Sequence, residues 1–216
     1  MSTAAYGAEA ARTVGVVPRR KPIDPEGIYH VSSRGCYGQT LFGDVGQHEL
    51  FLFLYGRVAG EHRWDTLSWA LMLNHHHFVI RLTEGGLSEG MRELHGIYSR
   101  RIHETYGLTR QGHLFRHAFF ARRLTSDHDV VATCSYVDLN PSRKRPSSAP
   151  APGDWCSYAA TLGLVHPRPF HSPSALLELI DPTPRIARQR YSAIVEARHA
   201  AGRQDPSPNH VIESRT

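Results

Sequence analysis

Between Gly27 and Leu164 the apolar positions change period several times, and each change marks an element. Gly27 to Ser33 alternates and is rich in β-formers, which predicts a strand. Gln47 to Val58 is apolar over a helical length. Thr66 to Leu73 and His75 to Leu82 are two strand-like runs joined by a tight turn at Asn74. Leu87, Met91, Leu94, Tyr98 and Ile102 recur at spacings of three and four, so Leu87 to Tyr106 is an amphipathic helix, closed by Gly107. Phe119 to Leu124 is a short strand. Ser126 then caps a helix, with Asp129 in a capping-box-like position, and Pro141 stops that helix at Asn140. The order is β-α-β-β-α-β-α. Its first six elements predict an α+β fold, the ferredoxin-like split βαβ antiparallel sheet with helices on one face. The other face would be free, a common platform for nucleic acid.

Outside this block the pattern fades. Residues 1–24 are rich in Ala, Gly, Arg and Pro and read as a flexible basic arm before a domain spanning 25–165. Arg143 to Asp154 is a Pro/Ser/Ala-rich loop. Residues 166–200 form a small helical extension, with helices over Ser174 to Ile180 and Pro184 to Ala200, and 201–216 read as a disordered tail. The chain has 216 residues, enough for one domain with appendages, and a formal charge of +5 that favours an anionic partner. Its three cysteines, Cys36, Cys134 and Cys156, form no CxxC and no disulfide framework, which points to a reducing cytoplasm. The N-terminus has no secretory h-region, and no apolar stretch approaches the ~20 residues that span a bilayer.

The chemistry starts at the strand Asn74-His75-His76-His77-Phe78-Val79-Ile80-Arg81-Leu82. Side chains alternate across a strand, so Phe78, Ile80 and Leu82 share a face with His76 and must point at the helices. His75 and His77 then point together at the other face, where two imidazoles can converge on one cation. On spacing alone, an incidental histidine run is the better explanation of the triplet. The helix after Ser126 offers a second feature. Val130, Cys134 and Val137 form its apolar stripe, and Tyr136 and Asn140 lie one turn apart beside it. A phenol is a weak nucleophile at neutral pH, and a divalent metal near a scissile phosphate would shift the balance as a Lewis acid. Asn140 could add a carbonyl ligand. By itself the pair reads better as a half-buried tyrosine and a helix-ending asparagine.

Taken in order, six segments resemble the REP-associated tyrosine transposases, single-tyrosine HUH transposases that act on single-stranded DNA. They are Tyr29-His30-Val31-Ser32-Ser33-Arg34-Gly35; Leu71-Met72-Leu73-Asn74-His75-His76-His77-Phe78; Leu87 to Leu94 with Tyr98; Gly112-His113-Leu114-Phe115 with Phe119; Tyr136-Val137-Asp138-Leu139-Asn140-Pro141 with Arg143; and Trp155-Cys156-Ser157-Tyr158. The resemblance implies a ferredoxin-like fold and a metal, Mg²⁺ or Mn²⁺, held by His75, His77 and Asn140. It makes Tyr136 the catalytic nucleophile. Three positions depart from the family's pattern. His76 stands where a bulky apolar residue is usual, Leu73 where a proline is common, and Ala118-Phe119 where the family has Arg-Phe.

The expectation is a transposase, a DNA nickase and ligase, that cleaves and rejoins single-stranded DNA near hairpins through a 5′-phosphotyrosine link. Arg34, Arg100, Arg101, His113, Arg116, Arg122 and Arg123 are candidate DNA contacts for a hairpin and its flanking strand. The protein would act in DNA transposition and recombination in the cytoplasm, as a monomer or homodimer, without a membrane partner. Two alternatives stand beside this. One is a non-catalytic hairpin-binding module of the same fold. The other is a metallohydrolase in which Asp44 or Asp138 joins the two histidines. Tyr98 and Tyr106 are reserve nucleophiles, each without an amide four residues on.

Overall fold

The computed structural model describes residues 23–106, 112–142, 150 and 153–204. The chain orders as β1 (Ile28–Arg34), α1 (Val45–Glu61), β2 (Asp65–Met72), β3 (His75–Arg81), α2 (Leu87–Tyr106), β4 (Phe120–Leu124), α3 (Asp127–Leu139), α4 (Tyr158–Thr161), α5 (Pro173–Leu177) and α6 (Pro184–Gln204). The sheet runs β2-β3-β1-β4 with every neighbouring pair antiparallel, the ferredoxin-like arrangement. Local chemistry sets the ends. Asp44 accepts a hydrogen bond from Gln47 N and starts α1, and Ser126 accepts one from Asp129 N and starts α3. The expected terminal glycine of α2, Gly107, lies outside the described residues, as does most of the loop expected over Arg143 to Asp154.

One face of the sheet carries Tyr29, Val31, Phe78, Ile80 and Leu82, which pack with α1 and the α2 stripe Leu87, Met91, Leu94, Tyr98 and Ile102. His76 belongs to this layer. It is fully buried against Phe51 and Phe78, and its Nε2 lies 3.3 Å from His95 Nε2. His95 in turn stacks on Phe115, with ring centroids 3.8 Å apart. The second histidine therefore supplies the polar partner that His76 needs in an apolar layer.

The second face is not left open, contrary to the sequence expectation. Leu67, Ala70 and Val79 of the sheet form a second core with Val130, Cys134 and Val137 of α3. Leu176 and Leu177 of α5 and Ala187, Tyr191 and Val195 of α6 join it. Helices thus lie on both faces: α3 and α5 cover the second, and α6 packs on those two helices. The expected basic arm, 1–24, lies outside the described residues except for its last two positions. Ile23 packs on the first core, and Asp24 pairs with Arg123 at 2.5 Å. The tail expected from residue 201 begins inside α6, which continues to Gln204; the remainder is outside the described residues. Among the described residues no helix is long and apolar enough to cross a membrane.

Two buried histidines away from the His75-x-His77 pair give the fold an acid limit. Burial pushes His95 down to about 3, opposed by a backbone bond at Ala118, and pushes His171 down to about 4. Both stay neutral when folded and gain protons when unfolded, so their contribution is complete above pH ~6.5 and is lost as pH falls towards those values. By pH 5 each should cost about 2 kcal/mol relative to pH 7.5. Urea unfolding at the two pH values measures this. A His95→Gln variant should lose stability less steeply, and equal slopes for variant and parent would refute the assignment.

Candidate active site

β3 and α3 build the site together. His75 and His77 stand on the second face, opposite His76, with ring centroids 5.3 Å apart and planes nearly perpendicular at 86°. Each ring has its Nδ1 committed to a protein partner. His75 Nδ1 lies 2.8 Å from Asn74 Oδ1, and His77 Nδ1 lies 2.8 Å from His30 Nε2. α3 crosses this face and sets Tyr136 edge-on to both His77 and His30, at 5.9 and 6.1 Å between ring centroids. Arg122 of β4 helps hold the helix there through Asp129 at 3.1 Å and Thr133 Oγ1 at 2.9 Å.

His30 is the residue that site assignment from sequence missed. Its partner across the strands is Val79, which places it on the face of His77. Burial, reinforced by the Arg122 guanidinium, pushes it down to about 4, so it is a neutral ring at physiological pH. A neutral His30 Nε2 can accept a hydrogen bond from His77 Nδ1–H, which would fix the His77 tautomer and make Nε2 the atom that could meet a metal. The signal was present. Tyr29 and Val31 are the apolar positions of β1, so alternation alone sends His30 to the opposite face.

Asn140 caps α3. Its Nδ2 donates to Tyr136 O at 3.0 Å, which leaves the side-chain carbonyl as the atom that could meet a cation. Among the described residues no three His, Cys, Asp or Glu side chains converge closely enough to hold a metal. A metal here would take two imidazoles and complete its set with an amide oxygen. His75, His77 and Asn140 supply those donor types, which a divalent cation could take.

The carboxylate alternatives fail on position. Asp44 caps α1 in the first layer. Asp138 is fully buried beneath α3 and receives three hydroxyl donors: Ser157 Oγ at 2.5 Å, Tyr191 OH at 2.6 Å and Ser68 Oγ at 3.0 Å. Burial outweighs those donors and pushes its carboxyl up to about 6. It ties α3 to β2 and to α6. The reserve nucleophile Tyr98 is buried in the first layer and donates to Leu41 O at 2.5 Å, and the side chain of Tyr106 is outside the described residues.

The candidate DNA contacts do not form one track. All seven are exposed. Arg34 pairs in register with His75, and Arg116 N donates to Arg34 O at 2.8 Å, so these two share one end of the sheet. His113 lies nearby, where the Gln39 side chain donates to Leu114 O at 2.6 Å. Arg122 and Arg123 lie on the edge strand β4, in ion pairs with Asp129 and Asp24. Arg100 and Arg101 stand on α2, whose buried side faces the layer away from His75 and His77, and Arg101 lies 3.6 Å from Glu104.

The fold agrees with what the chain matches. Residues 26–140 match the family described as "Transposase IS200 like". The chain belongs to this family of IS200-like transposases. Among solved structures it is similar to a REP-associated tyrosine transposase bound to a REP hairpin, with a TM-score of 0.53 and 14% identity. The match covers 71% of this chain and 87% of that one, and it shows the shared fold. No curated protein matches the chain.

Proposed function

We propose that the protein cleaves and rejoins single-stranded DNA beside hairpins by transesterification on Tyr136. The observation that carries this reading is the packing of the Tyr136 ring against His77, at 5.9 Å, on the face that His75 and His77 share. The Tyr136 hydroxyl oxygen attacks a backbone phosphorus and loses its proton to solvent. The P–O3′ bond breaks, the 3′-oxygen leaves as a hydroxyl after taking up a proton, and the 5′-phosphate remains esterified to tyrosine. A 3′-hydroxyl from another strand reverses the step, which conserves bond energy without ATP. Mg²⁺ or Mn²⁺ bound by His75, His77 and Asn140 would neutralise phosphate charge as a Lewis acid. His30 keeps His77 in the ligating tautomer, and Asn140, one turn after Tyr136, couples nucleophile and cation site through a single helix. The hairpin bound by the structural neighbour, with the chain's charge of +5, supports hairpin DNA as partner.

The test uses hairpin oligonucleotides with single-stranded flanks, labelled at either end, incubated with the full chain and Mn²⁺. The expected product is an SDS-stable adduct carrying the 3′ label but not the 5′ label, abolished by EDTA. Binding that persists in EDTA with no adduct on any of several hairpins would favour the non-catalytic binding module. Release of both fragments without an adduct would favour hydrolysis.

A further inference from the structure

The register of the sheet places a second feature in line with the active site. Phe120 of β4 pairs with Ser32 of β1, Ser32 pairs with His77 of β3, and His77 pairs with Ala70 of β2. Residues directly opposite in antiparallel strands share a face, so Phe120 stands on the face of His77, two strands or about 10 Å away. α3 and the extension cover the β2–β3 part of this face, but burial falls away at the end beyond it. Ser32 and His75 are half-buried, Arg34 is exposed, and Phe120 is 43% exposed. Phe120 is thus an exposed aromatic ring on the face of His77, beside a proposed phosphate-transfer site.

Charge decides which occupant. Residues 27–43 and 112–126, the two strands with the loops that extend them, contain no carboxylate. Arg34 and Arg116 lie at this end, bound to each other through their backbones, and no ion pair engages either guanidinium among the described residues. An acidic or apolar protein partner would use one half of this surface. A single nucleic-acid strand uses both, with its bases on the ring and its phosphates on the guanidinium groups. We propose that Phe120 is a stacking platform for an unpaired base of single-stranded DNA close to the scissile phosphate, with Arg34 and Arg116 receiving the adjoining backbone. This rests on the transesterase reading for its position, but its ring-dependent binding is measurable without any cleavage.

Binding of the full chain to a fluorescein-labelled twelve-residue oligothymidylate, and to an abasic analogue of equal length, separates the outcomes. Phe120→Ala should bind the oligothymidylate about 5- to 100-fold more weakly, the range of one lost base stack. It should bind the abasic strand as the parent does. Phe120→Tyr should restore affinity, whereas Phe120→Leu, apolar but without a ring, should not. The side chain is substantially exposed, so melting temperatures should be unchanged, and Leu against Tyr decides the matter if Ala perturbs the fold. Equal affinity of Phe120→Ala and parent for oligothymidylate overturns the proposal, as does an equal loss on the abasic strand. Loss of affinity in Tyr37→Ala instead would move the platform to the fully exposed ring in the loop after β1. Absence of the covalent adduct with ring-dependent binding intact would sink the transesterase reading and leave this one standing.

Discussion

Tyr136→Phe is expected to abolish the SDS-stable adduct while leaving the fold and hairpin binding in place. The rate of strand cleavage should fall by on the order of 10⁴ or more, the scale reached when a covalent nucleophile is removed. The phenylalanine ring keeps the edge-on contacts with His30 and His77, so the helix has no packing reason to shift. Melting temperature and hairpin affinity should therefore match the parent. Tyr98→Phe makes the paired control. It removes the bond to Leu41 O in the first layer, at a cost of about 1 kcal/mol, and should leave the adduct yield unchanged. An adduct that survives Tyr136→Phe would remove the helix from the chemistry and turn attention to Tyr106.

Much of this arrangement was legible in the residues. Strand alternation in β3 sends Phe78 and Ile80 one way and His75 and His77 the other, because an apolar core tolerates only one orientation. The α2 stripe runs buried from Leu87 to Ile102 as its spacing predicts, and the helix ends at Tyr106. The covering of the second face was not legible. α3 reads as a helix with one narrow stripe, yet Thr133, Ser135 and Asp138 are buried as well. Polar side chains become buriable only when partners meet them, and the partners of Asp138 lie 70, 19 and 53 residues away, in Ser68, Ser157 and Tyr191. Hydrophobic periodicity carries no record of such long-range bonds. His30 shows the intermediate case. Its face followed from β1 alone, but its bond to His77 required the β1–β3 register.

Those same partners make Asp138→Ala the most damaging change expected outside the chemistry. Asp138 sits between Tyr136 and Asn140, so the helix that presents both is pinned at its C-terminal turn. It is pinned to β2 through Ser68, to the segment before α4 through Ser157, and to the extension through Tyr191. Alanine strands the Tyr191 hydroxyl, leaves Ser68 and Ser157 only their longer bonds to Cys134 O and Trp69 O at 3.4 Å, and opens a void, and each stranded or weakened donor costs about 1–3 kcal/mol. The total, about 5 kcal/mol, is comparable to the whole stability of a small domain. Asp138→Asn keeps an acceptor for the serines and offers Tyr191 OH a donor in place of an acceptor, so it should cost about 1–2 kcal/mol. Tyr191→Phe loses one bond and should cost about as much as the asparagine variant. Urea unfolding of the three variants orders them, and a double-mutant cycle between Asp138→Asn and Tyr191→Phe isolates the bond that joins α6 to α3. Additive effects, or an alanine variant as stable as the parent, would mean that the extension is held by apolar packing alone. A coupling of about 1 kcal/mol or more would make α6 part of what fixes the orientation of the Tyr136 helix.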